Sequence, residues 1–202
     1  PCPHLSGCGV GFKFMQAFAK SNGITGNDLE NMLDLVAVSI AADIVPMVGE
    51  NRVLAYWGLK RINTNPNVGL RAIIKICQLS NREITISDVI FKIGPRINAS
   101  GRMQSGREAV ELLVSRDFAD AYQKAKNIDQ YNKDRKELDK RITEEANAII
   151  ENHRNLLTGK KSIVIYNKDW HKGIIGIVAS RLTELYYKPS VVLTLSNGLA
   201  TG

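Results

Sequence analysis

The 202-residue chain is poor in the residues that most often announce chemistry. It has only three histidines, His4, His153 and His171, no two of them adjacent. It has three cysteines, Cys2, Cys8 and Cys77, an odd number at uneven spacing, which suits reduced thiols rather than a disulfide framework. There is no CxxC pair, and Cys2, His4 and Cys8 have no fourth ligand at zinc-site spacing. GxSxG, HExxH, GxGxxG and a Walker lysine are all absent, which removes the commonest hydrolase, metalloprotease and nucleotide-binding signatures. No apolar run reaches the length of a membrane span, no charged-then-apolar leader is seen, and repeats and low-complexity segments are lacking. The expectation is a cytoplasmic protein with no membrane partner.

What is present supports a folded core, since 44% of residues are hydrophobic. The net charge is +7, from 27 basic and 20 acidic residues. Residues 1–91 hold 8 basic and 7 acidic residues, and residues 92–202 hold the remaining 19 and 13, so the excess lies in the second half. A basic excess favours anionic partners, nucleic acid first. The chain opens on Pro-Cys-Pro-His-Leu without Met and closes on Leu-Ala-Thr-Gly after a strand-like run. Both ends read as cuts from a longer protein.

Helical periodicity places Phe12, Met15 and Phe18 on one face of a first helix. A second, capped by Asn27 or Asp28, carries the apolar run from Leu33 to Ala42, and Pro46 and Gly49 break the pattern. Residues 50–62 read as a helix with Val53, Leu54, Trp57 and Leu59 inward, and residues 70–79 as another after the Asn65-Pro66-Asn67 turn. Ser87 is expected to cap a short helix through Ile93, Gly94-Pro95 to stop it, and residues 96–106 to be irregular. After a helix at 107–114, one long helix is expected from Asp117 to about His153, with a charged middle facing water. Strand, helix and strand at 162–166, 171–187 and 190–195 make a βαβ unit. The fold class is therefore α/β: a mostly helical first part (1–114), a connector helix (115–155) and the start of an α/β domain (156–202).

Four places could carry chemistry. Asp43 ends an apolar helix and is a hard oxygen donor suited to Mn²⁺ or Mg²⁺, although one carboxylate does not make a metal site. The run Lys92-Ile-Gly-Pro-Arg-Ile-Asn-Ala-Ser-Gly-Arg102 offers Arg96, Asn98, Ser100 and Arg102, and guanidinium forks match phosphate oxygens. Asn132 and Arg135 lie three apart on the long helix, where they either face water or a ligand alongside. Between the first strand and its helix, His171 and Gly173 stand at a helix N-terminus, which is either an anion site or a tight packing point beside a core Trp170.

Five segments in order resemble the RecJ family of single-strand-specific exonucleases, within the DHH phosphoesterases. They are Leu5-Ser-Gly-Cys-Gly-Val-Gly-Phe-Lys13, Ala42-Asp-Ile-Val-Pro46, Gly94-Pro-Arg-Ile-Asn-Ala-Ser-Gly-Arg102, Asp129-Gln-Tyr-Asn-Lys-Asp-Arg135 and Trp170-His-Lys-Gly-Ile-Ile-Gly-Ile-Val-Ala-Ser-Arg181. The resemblance implies release of mononucleotides from the 5′ end of single-stranded DNA in repair and recombination, with Mn²⁺ or Mg²⁺ as cofactor. It implies Asp43 as a metal ligand and catalytic residue, and Arg96, Asn98, Ser100, Arg102, Asn132, Arg135, His171 and Gly173 as nucleic-acid contacts. It implies single-stranded DNA as partner, with a single-strand-binding protein or helicase in the intact system. The domains would be the end of a DHH domain, the connector and the start of a DHH-associated domain. The upstream Asp-rich motifs, the DHH triplet, the Gly-Ser-x-Arg-Ser segment and the OB-type domain of the family are not among these residues, so a catalytically incomplete fragment is expected. Two other readings are a DHH phosphoesterase for oligonucleotides or cyclic dinucleotides, and a non-catalytic nucleic-acid-binding module.

Overall fold

The computed structural model describes residues 2–24, 29–153 and 157–202. The Asn27 or Asp28 cap, and the last residues of the expected connector, lie outside them. The described chain forms two compact units, residues 1–100 with 105–129, and residues 101–104 with 130–202.

The first unit opens with α1 (Gly7–Ser21), whose N-terminus is capped by Ser6 accepting from the Gly9 N–H at 3.2 Å. A 3₁₀ turn at Glu30–Met32 leads into α2 (Leu33–Ala42), which is apolar all round and buried accordingly. Phe12, Val36, Ile40 and Ala55 form the core between α1, α2 and α3 (Gly49–Thr64). Met15 and Phe18, expected on the same inward face as Phe12, instead line an open apolar groove of about 420 Å³ with Phe14, Ile24, Leu29 and Met32. The inward face of α3 also differs from expectation. Val53 and Trp57 are exposed, and Asn51, Ala55, Gly58 and Ile62 are buried. Close helix approach is the reason: a Cβ on Gly58 would stand 2.1 Å from the Leu33 carbonyl oxygen and 2.5 Å from Ala37 Cβ. Small residues win the contact that the larger ones would hold open.

Asn67 caps α4 (Val68–Ile76), and its own N–H donates to the buried Asp34 at 2.6 Å. Thr85, rather than Ser87, caps the next turn, α5 (Ile86–Asp88), in a reciprocal capping box with Asp88. The chain does not become irregular at Gly94-Pro95. A π turn at Val89–Ile93 runs into α6 (Gly94–Met103), with the Gly94 N–H donating to the Val89 carbonyl. Pro95 lacks an N–H and crowds the preceding turn, and the wider π turn relieves that crowding, so the helix continues. α7 (Gly106–Leu113) follows. α8 (Phe118–Asn152) is one helix of 35 residues, about 52 Å long. The chain passes between the units within α6 and within α8.

The second unit is built on β1 (Ile163–Tyr166), α9 (Lys172–Tyr186), β2 (Ser190–Ser196) and β3 (Leu199–Thr201). β1 and β2 are parallel, with Ile163 opposite Ser190, as the βαβ pattern requires. β3 adds an antiparallel hairpin, which the sequence reading did not include. Its signal is Asn197-Gly198, both at positive φ (51° and 76°) as a type I′ turn demands. The core joins Ile142, Ala146 and Ile150 of α8 to Ile163, Ile174, Val178, Leu182 and Val192. Trp170 belongs to it, with its indole N–H donating to Glu145 at 2.8 Å. The class is α/β, helix-rich with a small mixed sheet. No helix among the described residues is long and apolar enough to cross a membrane.

Candidate nucleic-acid interface

In the first unit Asp43 is the C-cap of α2, exposed, and accepts from the Ser39 hydroxyl at 3.3 Å. Ile44 follows at φ 52°. A β-branched residue in the left-handed region costs about 1–2 kcal/mol, so the fold holds the backbone at Asp43 against a local cost. The start of α6 packs beside it: a Cβ on Gly94 would lie 3.3 Å from Ala42 Cβ. The acidic end of α2 and the head of the Arg96-to-Arg102 run thus meet, although they are some fifty residues apart in sequence.

Asp34 and Cys8 share the electrostatic neighbourhood of Asp43. Burial first, then the charges of Asp43 and Asp34, push the Cys8 thiol up. Asp34 is fully buried and spends its oxygens on the N–H groups of Asn67 and Leu35. Burial raises its carboxyl, with these two donors and Arg61 opposing. Among the described residues no three His, Cys, Asp or Glu side chains gather as a metal cage. The donor set present is one exposed carboxylate, Asp43, and by itself this does not fit a divalent cation.

Arg96 lies in the same unit, but its fork is engaged. Nε donates to Asp129 of α8 at 2.8 Å, and one Nη donates to the Lys92 carbonyl at 2.7 Å. Asn98 is exposed on α6. Ser100 is fully buried, and its hydroxyl donates to the Ser105 carbonyl at 2.7 Å, closing the link from α6 to α7.

The second unit gathers the remaining candidates. Arg102 donates to the Gly173 carbonyl at 3.3 Å. Gly173 is a packing point, since a Cβ there would stand 2.1 Å from the Arg102 carbonyl oxygen. Its N–H donates to Nδ1 of His171, the N-cap of α9, at 3.1 Å. That bond fixes Nδ1 as acceptor and leaves a neutral ring's proton on Nε2, while the Gly173 N–H stays within the cap. Asn132 is buried, and its carbonyl oxygen accepts from Arg135 at 3.4 Å.

Arg135 is the electrostatic centre. Burial pushes its guanidinium down, Asp139 opposes, and the charges of Arg102 and Arg181 push it further down. Arg181 donates to the buried Asp139 at 2.8 Å. Two further guanidiniums, Arg102 and Arg181, act on the half-buried Arg135 with one carboxylate, Asp139, opposing them, and the excess of positive charge is one that an added anion stabilises. Asp139 and Arg181 were not among the sequence candidates. Arg181 stood inside a quoted motif, and Asp139 stands four residues after Arg135, one turn along the same face.

No family model matches the chain. The single-stranded-DNA-specific exonuclease RecJ of Bacillus subtilis is 35% identical over 204 residues, covering 100% of this chain and 25% of that protein. The Haemophilus influenzae RecJ is 36% identical over 212 residues, with 100% and 37% covered. The crystal structure of Thermus thermophilus RecJ in complex with Mg²⁺ superposes with a TM-score of 0.78 at 30% identity, covering 94% of this chain and 29% of that one. An exonuclease RecJ bound to manganese gives 0.75 at 31% identity, with 93% and 45% covered. The chain therefore spans about a quarter to a third of the length of these curated relatives. Along its own length, in sequence and in fold, it is similar to one continuous stretch of the RecJ single-stranded-DNA-specific exonucleases.

Proposed function

We propose that the chain is the strand-holding part of a metal-dependent, single-stranded-DNA-specific 5′→3′ exonuclease that releases mononucleotides in repair and recombination. The observation that carries the reading is the half-buried Arg135 of α8, with Arg181 paired to Asp139 one turn along and Arg102 held on the Gly173 carbonyl. Such a cluster offers fixed guanidinium donors to phosphate oxygens without reading base sequence. His171 adds a ring Nε2–H donor at the head of α9. Asp43 contributes one carboxylate from the end of α2. In a full-length enzyme carrying this segment, Asp43 would be one of the residues holding Mn²⁺ or Mg²⁺, and the metal would supply an activated water and offset charge on the phosphodiester. This chain's own work is to bind and orient the strand. The domain assignment follows the same reading: residues 1–114 close a DHH domain, 115–155 connect, and 156–202 begin a DHH-associated domain. A single-strand-binding protein or a helicase would hand over the substrate.

Two measurements test this. Asp43→Ala in the full-length enzyme is expected to nearly abolish cleavage while single-strand binding persists; wild-type cleavage removes Asp43 from the site. Arg102→Ala in the 202-residue chain is expected to weaken binding of a labelled (dT)20 strand and to flatten its salt dependence. An unchanged affinity and slope remove the cluster from the strand.

A further inference from the structure

The second half of α8 and the body of α9 border a polar groove of about 430 Å³, lined by Arg135, Lys136, Asp139, Lys140, Thr143 and Arg181. Its volume is within the range of small-ligand sites. Its floor is unusual. Among the described residues four buried side-chain polar atoms lack a hydrogen-bond partner, and three of them lie here: Arg135 Nε, Asp139 Oδ1 and Thr143 Oγ1. Asp139 is only 4% exposed. Residues 135, 139 and 143 are spaced at four, so these atoms form a stripe along one face of α8, about 12 Å from end to end.

A buried polar atom without a partner costs about 1–3 kcal/mol. Leu or Ile at the same positions would close the contact at no such cost. Three unmatched atoms in one stripe suit a ligand that brings the missing partners. The stripe presents a donor at Arg135, an acceptor at Asp139 and a hydroxyl that serves as either at Thr143. Around it stand Lys136, Lys140 and Arg181, with Glu144 near Lys140 (4.0 Å) and Asp139 holding Arg181. The surplus is positive, so the ligand is anionic, and it also carries a donor for Asp139.

We propose that this groove is a nucleotide subsite for single-stranded DNA. One backbone phosphodiester accepts from Arg135 Nε, an N–H of the adjoining base donates to Asp139 Oδ1, and the Thr143 hydroxyl, at the far end of the stripe, donates to a phosphate oxygen farther along the strand. Lys136, Lys140 and Arg181 provide the surrounding positive charge. The proposal rests on the single-strand reading above and extends the grip beyond Arg102 and Arg135, along α8.

The test uses the 202-residue chain and fluorescence anisotropy of labelled (dT)20, whose thymines carry the N–H, across a salt series. Thr143→Val removes the hydroxyl at constant shape and charge. It is expected to weaken binding about fivefold, with a melting temperature equal to or above that of the wild type. Lys136→Gln with Lys140→Gln is expected to reduce the logarithmic salt slope by about 0.7 to 1.4. If both variants bind like the wild type while Arg102→Ala binds more weakly, the groove holds water only and the proposal falls, while the single-strand reading stands. If the wild-type chain does not bind (dT)20, both fall. If millimolar inorganic phosphate displaces the strand from the wild type but not from Thr143→Val, the groove is a free-phosphate site and the proposal is overturned.

Discussion

Arg96 and Arg102 sit six residues apart in one motif, and the fold gives them different work. Arg96 closes an ion pair with Asp129 in which both side chains are mostly buried. Removing one partner leaves the other charge desolvated and uncompensated. Arg96→Ala is therefore expected to destabilise the first unit by about 2 kcal/mol, a value moderated by residual solvent exposure. A urea titration checks it, and an unchanged midpoint would show that the pair contributes nothing. A loss of strand binding in this variant is informative only beside its stability. The arginines themselves were legible in sequence, because guanidiniums clustered between glycines are a visible pattern. Their partners were not. Asp129 lies 33 residues from Arg96 and Asp139 lies 42 from Arg181, and no local spacing relates them. The charged middle of the long helix reads as a water-facing stretch, and Lys136, Glu137, Lys140 and Arg141 are exposed, but Asp139 is buried with Arg181 of α9 as its partner, which the residues from Asp134 to Arg141 do not encode.

The helices and the βαβ order were readable as elements, because apolar periods of 3.6 and runs of β-branched residues are local properties. The faces and caps were less so. α3 turns Gly58, not Trp57, toward α2, since the nearest approach of two helices is set by the smallest side chain rather than the most apolar. Gly58→Ala would drive a methyl into the Leu33 carbonyl and is expected to cost about 3 kcal/mol by overpacking. Thermal melting tests this, and a neutral or stabilising outcome would mean that α3 slides freely on α2. The α5 cap carries a pH signature. Arg82 first, then the Thr85 backbone and hydroxyl and Lys92, hold the Asp88 carboxyl well below the usual carboxylate range, against the effect of its burial. Because the folded carboxyl is the stronger acid, its contribution is fully present above about pH 4 and is lost as pH falls below that. Asp88→Asn is expected to be less stable than the wild type at pH 7, with the gap narrowing progressively as pH falls from about 4 to 2. A constant gap between the two across that window would remove the linkage.

At the scale of the whole molecule, positive charge and candidate donors are unevenly placed. Of the candidate residues, Arg102 and Arg135 lie in the second unit together with Arg181, and Arg96 and the exposed carboxylate of Asp43 lie in the first. With no cage of three or more ligating side chains among the described residues, the 202-residue chain is expected to leave labelled single-stranded DNA intact in Mn²⁺. Progressive shortening of the strand would overturn that expectation. The α/β class and the order of its parts follow from sequence pattern; the sequence puts the boundary within the long helix, at 115–155, and the contacts divide that helix after 129, with residues 101–104 of α6 also grouped in the second unit. Two helices cross between the units, and a helix carries no sequence mark where its neighbours change. The π turn at Val89–Ile93 bears on all of this. It is a single extra residue in a helical run, so it acts as a phase setting. Deleting one residue there would return the run to ordinary α pitch and leave the later side chains of α6 close to their present phase, whereas the same deletion inside α6 would rotate every later side chain by about 100° about its axis. A one-residue gap is therefore absorbed in the π turn but not in the helix it feeds, where it would swing Arg96 off Asp129.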